Sequence, residues 1–96
     1  MLVGIKFNLD KPINCEVRTL EGLRYHDVLT FLKNNNNRYF KTRLRLCYAI
    51  GASSKNFDCS WKKVIGALIK LAEEDGYIKL LNTAEVKKEN LRLYVE

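Results

Sequence analysis

The chain has 96 residues, 47% of them hydrophobic and 29% charged, and 17 Lys and Arg against 11 Asp and Glu leave a net charge of +6. That length bounds one domain, 1–96, and the apolar content excludes a disordered chain. No apolar run approaches the ~20 residues that span a bilayer, and residues 1–6 lack the basic and then long apolar regions of a signal peptide, so a cytoplasmic protein with no membrane partner is expected.

Residues 2–19 read as a β-hairpin. Val3, Ile5, Phe7 and Leu9 alternate with Gly4, Lys6 and Asn8, Asp10-Lys11-Pro12 is a turn signal, and Ile13, Cys15 and Val17 alternate again. Glu21-Gly22 breaks the second strand. From Leu23 the period becomes helical, with Tyr25, Val28, Leu29 and Leu32 on one face, Phe31 beside them, and His26, Asp27 and Thr30 opposite. The run Asn34, Asn35, Asn36 and Asn37 ends that helix as a turn, since asparagine tolerates left-handed backbone geometry.

Residues 38–50 fit two periods. As a strand, Phe40, Thr42, Leu44, Leu46, Tyr48 and Ile50 alternate with Lys41, Arg43, Arg45 and Cys47. As a helix, Phe40, Leu44, Cys47 and Tyr48 share one face and Lys41, Thr42, Arg45 and Ala49 the other. The helix is preferred, because Leu, Arg and Ala are good helix formers and Gly51 is placed to stop one.

The main helix covers 60–75. Asp58 or Ser60 would cap it, and Trp61, Val64, Ile65, Leu68 and Ala72 line its apolar face. Lys62, Lys63, Gly66, Ala67 and Lys70 lie on the polar face, and Gly76 gives a left-handed stop. Residues 78–81 and 91–95 read as two strands joined by 82–90, which carry Lys87 and Lys88.

The sequence contains no glycine-rich phosphate loop, nucleophile elbow or paired-histidine metal motif. Neither catalysis nor a metal or other cofactor is expected. Cys15, Cys47 and Cys59 are too far apart for a zinc knuckle and read as small buried apolar side chains. Glu73, Glu74 and Asp75 read as a solvated helix end or as a contact with a basic protein partner. By contrast, the polar face of the main helix has a consistent chemistry. Small residues between lysines let a helix backbone approach the DNA major groove, and the lysines then meet flanking phosphates. Packing of Gly66 and Ala67 against another helix is the competing explanation. Lys41 and Arg45, on one face if 38–50 is helical, add a second phosphate grip.

The stretch Val64-Ile65-Gly66-Ala67-Leu68-Ile69-Lys70-Leu71-Ala72-Glu73-Glu74-Asp75-Gly76-Tyr77-Ile78 resembles the winged helix-turn-helix superfamily. The resemblance implies an α+β fold: a three-helix core over 23–75, a C-terminal hairpin wing over 77–96, and the 2–19 hairpin as an addition. It further implies a transcriptional regulator that binds double-stranded DNA as a homodimer, with 60–75 in the major groove. The expected contacts are Ser60, Lys62, Lys63, Gly66, Ala67 and Lys70 from the helix, Lys87 and Lys88 from the wing, and Lys41 and Arg45 from the preceding segment. The loop at 51–59 is longer than the tight turn of that superfamily. The helix also lacks the Arg, Asn and Gln side chains that read bases. The alternative function is a protein-interaction module, such as a small inhibitor or assembly subunit.

Overall fold

The structure, a computed structural model, describes residues 1–57 and 61–95, and Trp61 by its backbone alone. Expectations for Asp58, Cys59, Ser60 and the Trp61 side chain therefore lie outside the described residues. The fold is α+β, as expected. In chain order the elements are strand β1 (Val3–Phe7), helix α1 (Leu20–Asn34), strand β2 (Arg38–Phe40), helices α2 (Arg43–Ser53) and α3 (Trp61–Glu74), strand β3 (Ile78–Leu81), helix α4 (Thr83–Lys88) and strand β4 (Arg92–Leu93). The sheet order is β3-β1-β2-β4. β1 runs antiparallel to both its neighbours, and β2 and β4 are parallel.

Strand alternation divides the molecule into two layers of side chains. Ile5 and Phe7 join Val28, Leu29, Leu32, Leu46, Ile50, Ile65 and Ile69 in the main core beneath α1, α2 and α3. On the other face, Leu81, Val86 and Leu91 form a second cluster with Leu2 and Tyr39. Gly4 is paired with both Tyr39 and Leu81, which fixes it on that second face. A Cβ at Gly4 would come 2.6 Å from Leu91 Cδ1 and 2.8 Å from Val86 Cγ2, so glycine lets the α4 cluster close on the central strand.

The structure departs from the N-terminal hairpin. Only 3–7 is a strand, and 13–17 is irregular. Both edges of β1 are taken, by β2 and β3, so a following strand has no ladder to join. Ile13 and Cys15 still pack on the core, and the Asn14 N–H donates to the Tyr77 hydroxyl at 3.2 Å. Nor does Gly22 break a strand. Thr19 caps α1, its hydroxyl accepting from the Gly22 N–H, and the helix starts at Leu20. Its buried residues are Val28, Leu29, Phe31 and Leu32, as the period predicts.

Residues 38–50 divide between their two readings. Arg38–Phe40 is strand, and Thr42, accepting from the Arg45 N–H, switches the chain into α2. The buried face of α2 is Leu46, Cys47, Ala49 and Ile50, whereas Leu44 and Tyr48 are exposed. Beginning the helix at Arg43 changes which residues face the sheet. Gly51 lies inside α2, which runs to Ser53.

The C-terminal hairpin is also corrected. After β3, Asn82 and Glu85 make a reciprocal capping box, and 83–88 is helix instead of a wing loop. α4 crosses the second face and delivers β4 to the far edge of the sheet, beside β2. Where the resemblance expects a returning wing strand beside β3, the N-terminal strand β1 stands instead.

Candidate nucleic-acid interface on α2 and α3

α3 is held by its apolar stripe. Ile65, Ile69 and Ala72 are buried and Val64 and Leu68 half-buried, while Lys62, Lys63, Ala67 and Lys70 are exposed. The helix ends in a Schellman arrangement: the Tyr77 N–H donates to the Ala72 carbonyl at 3.0 Å and the Gly76 N–H to Glu73 at 3.1 Å, with Gly76 at φ +79°. That closure directs the chain into β3 and fixes the angle of α3 on the sheet.

The turn after α2 is tied to α1. The Asp27 carboxylate accepts from the Ser54 hydroxyl and, at 2.6 Å, from Asn56 Nδ2. The Arg24 Nε–H donates to the Asn56 carbonyl at 2.7 Å. Although longer than the tight turn of the resembled superfamily, this connection is fixed at 54–56 by hydrogen bonds.

Lys62 Nζ lies over the Tyr48 ring, 5.6 Å from its centroid, and joins the two helices across their exposed sides. Arg45 is three residues before Tyr48 on α2, and so on the same face. Lys41 precedes Thr42, the cap, and therefore is not on the helix; it nevertheless lines the same groove as Arg45. From Arg45 the exposed strip passes Tyr48, Lys62, Gly66 and Lys70. A Cβ at Gly66 would meet no atom within 4 Å, so among the described residues no helix of this chain packs there.

Charge is unevenly distributed along the chain. Lys33, Arg38, Lys41, Arg43, Arg45, Lys55, Lys62, Lys63 and Lys70 lie between Asp27 and Glu73, against a single acid, Asp58. The first turn of α2 has no acid, and carries Arg43 and Arg45 where the helix dipole is already positive. The basic excess of the chain is thus concentrated in the segment that builds α2 and α3.

Lys87 and Lys88 are in the last turn of α4. That helix packs on the second face of the sheet, so they are not brought together with the α3 lysines. Of the three terminal acids, Asp75 accepts from the Tyr25 hydroxyl at 2.7 Å and is turned toward α1. Glu73 and Glu74 are exposed at the end of the basic strip. Sequence reasoning overlooked Tyr48 as a surface residue because it was placed on the buried face. Its spacing of four from Leu44 and three from Arg45 was the available signal.

Beside the strip is an apolar groove of about 850 Å³ lined by Leu44, Tyr48, Leu93, Tyr94 and Val95, with Lys41 and Arg45 also in its lining. Leu44 is 49% exposed, Tyr48 47% and Val95 75%. Cys15 and Cys47 are free thiols, and burial pushes both up from the ordinary value. Among the described residues no three His, Cys, Asp or Glu side chains converge as metal ligands, and no helix is long and apolar enough to cross a membrane. No protein-family model, curated protein or solved structure matches the chain.

Proposed function

We propose that the protein binds double-stranded DNA through the exposed strip of α2 and α3 and acts as a transcriptional regulator. The observation that carries this reading is the basic strip itself. Lys41, Arg45, Lys62, Lys63 and Lys70 flank an open helix surface at Gly66 and Ala67, in a segment nearly free of acids. A helix about 10–12 Å across fits a groove roughly 12 Å wide, and the small residues let its backbone approach. The exposed Tyr48 ring supplies flat apolar surface between the cations. The order α1-β2-α2-α3-β3 follows the helical core and first wing strand of the resembled superfamily. Lys87 and Lys88, across the sheet, are not part of this contact surface.

Phosphate contacts dominate this binding, since no exposed Arg, Asn or Gln of α3 reads bases. Fluorescence anisotropy with a labelled duplex tests it. Five phosphate contacts give a log affinity against log salt slope of about −4.5. A flat salt response would sink the proposal.

The apolar groove favours a second reading, self-association as a homodimer. The N–H groups of Arg92 and Tyr94 donate to Asn37 and Tyr39, so strand alternation turns those of Leu93 and Val95 outward along the open edge of the sheet. Pairing with β4 of a second copy would cover the edge and the groove together. Analytical ultracentrifugation reads this directly: Leu93→Lys leaves a dimer weakened, and a wild-type chain that stays monomeric at every concentration refutes it.

A further inference from the structure

We infer that the corner formed by the asparagine turn and the start of β4 is a binding site for a phosphate group. The corner is a polar cavity of about 490 Å³ lined by Lys6, Asn36, Asn37, Arg38, Asn90 and Arg92, together with Glu89 and Leu91. It shares no residue with the α2 and α3 strip, and stands or falls separately from the DNA-binding proposal.

Three features set its chemistry. Arg38 and Arg92 are direct partners in the parallel β2–β4 ladder, so their side chains leave the same face about 4.8 Å apart at the backbone. Like charges in that relation repel. Among the described residues neither guanidinium has a salt bridge or side-chain hydrogen bond to offset the repulsion. The asparagine oxygens are already used within the fold. Asn36 Oδ1 accepts from the Phe7 N–H and Asn37 Oδ1 from Lys6 Nζ, each at 2.8 Å. Both donors are donors only, which fixes the amide orientation and leaves the two Nδ2 groups as donors. Finally, Asn37 and Asn90 hold left-handed backbone, φ 67° and 54°, and so turn the chain sharply on both sides of the cavity.

The donors that remain are two guanidiniums, the ammonium hydrogens of Lys6 not given to Asn37, and two amide nitrogens, with Lys6 leaving β1 on the second face of the sheet and the two arginines leaving β2 and β4 on the other. They are the complement of an anion with several acceptor oxygens and suit a tetrahedral phosphate better than a planar carboxylate. Arginine matches phosphate in paired N–H···O contacts. Glu89 is the one carboxylate of the lining, and it weakens any anion bound there. The phosphate can arrive free, as inorganic phosphate or a monoester, or as a diester of a nucleic-acid backbone.

Amide and guanidinium NMR spectra of the full chain test the site with two probes, sodium phosphate against sodium chloride at equal ionic strength, and a duplex without terminal phosphates. Shifts centred on Asn36, Asn37, Arg38 and Arg92 with phosphate identify a free-anion site, and such shifts with the duplex alone identify a backbone contact. Arg38→Gln with Arg92→Gln weakens either by at least about tenfold, whereas Glu89→Gln tightens it. Lys62→Glu with Lys70→Glu leaves phosphate binding at the corner intact. Corner shifts with neither probe, or equal shifts in the Arg38→Gln, Arg92→Gln variant, overturn the inference.

Discussion

The Tyr25 hydroxyl donates to the Asp75 carboxylate at 2.7 Å, joining the middle of α1 to the turn that ends α3. The Tyr25 ring also meets Tyr77 edge to face, with centroids 6.1 Å apart. Lys11 completes the cluster, its ammonium 4.6 Å from the Tyr77 ring centroid and donating to the Asp75 carbonyl. Burial, then the hydrogen bond and charge of Asp75, push the Tyr25 phenol well above its ordinary value. In the unfolded chain that phenol ionises near pH 10, while in the fold it keeps its proton. The unfolded state therefore binds fewer protons above that pH, and stability falls as pH rises further. Thermal unfolding is expected to be insensitive to this group below pH 10 and to lose stability above it. Tyr25→Phe costs about 0.5–1.5 kcal/mol at neutral pH and flattens the alkaline decline. A tyrosinate absorbance titration in which all five tyrosines ionise together would contradict it.

Two glycines in helices are expected to respond in opposite directions. At Gly22 a Cβ would fall on the Glu16 carbonyl oxygen, a backbone atom that moves only if the 8–19 segment does. Gly22→Ala should destabilise by about 1–3 kcal/mol in denaturant titrations. Gly66 faces open space within a helix, and Gly66→Ala should stabilise by about 0.4–1 kcal/mol. If Gly66 is where the backbone approaches DNA, the same variant binds duplex more weakly despite its greater stability. A stabilised variant with unchanged affinity would show that the helix does not sit so closely.

Charge reversal separates the faces of the sheet. Lys62→Glu with Lys70→Glu should reduce duplex affinity by at least about tenfold, since each exchange replaces a phosphate contact with repulsion. Lys87→Glu with Lys88→Glu, on α4, should change it by less than about twofold in the same anisotropy titration. Equal losses in both variants would require DNA to reach both faces.

The capping box of α4 is expected to matter for stability alone. Asn82 Oδ1 accepts from the Glu85 N–H at 2.9 Å and Glu85 accepts from the Asn82 N–H at 3.2 Å. Asn82→Ala should cost about 1 kcal/mol in thermal unfolding and leave duplex and phosphate binding unchanged.

Much of this architecture was legible locally. The apolar spacing of α1 placed Val28, Leu29 and Leu32 correctly in the core, and Gly76 marked the end of α3. Residues 38–50 carried both periods because the segment contains both structures, with Thr42 as the switch. Asn82-Thr83-Ala84-Glu85 has the spacing of a helix N-cap, but the apolar runs on either side of it fit a hairpin as well.

The two departures in the strands share one cause. Alternating apolar residues show that a segment can be a strand, but not which edge is free to receive it. Residues 13–17 have the pattern and no partner, because β2 and β3 occupy both sides of β1. Residues 91–95 have the pattern, and of them Arg92 and Leu93 pair with β2, at the opposite edge of the sheet from β3. The candidate site was affected in the same way. The lysines of α3 were evident from helical period, but the exposure of Tyr48 depended on where α2 begins, and the separation of Lys87 and Lys88 on which face α4 covers.

The sequence by itself determined the fold class, the stripe that anchors α3, the left-handed stop at Gly76 and the basic character of the 28–72 segment. Each follows from residues within a few positions of one another, through helical period, backbone preference or charge. Only the tertiary structure decided that β1 lies between β2 and β3, that α4 covers the second face of the sheet, and that Lys6, Arg38 and Arg92 line one cavity at the asparagine turn. Those outcomes depend on pairing between segments 30 to 80 residues apart, where competition for strand edges and closure of two cores choose among partners that local pattern leaves equivalent.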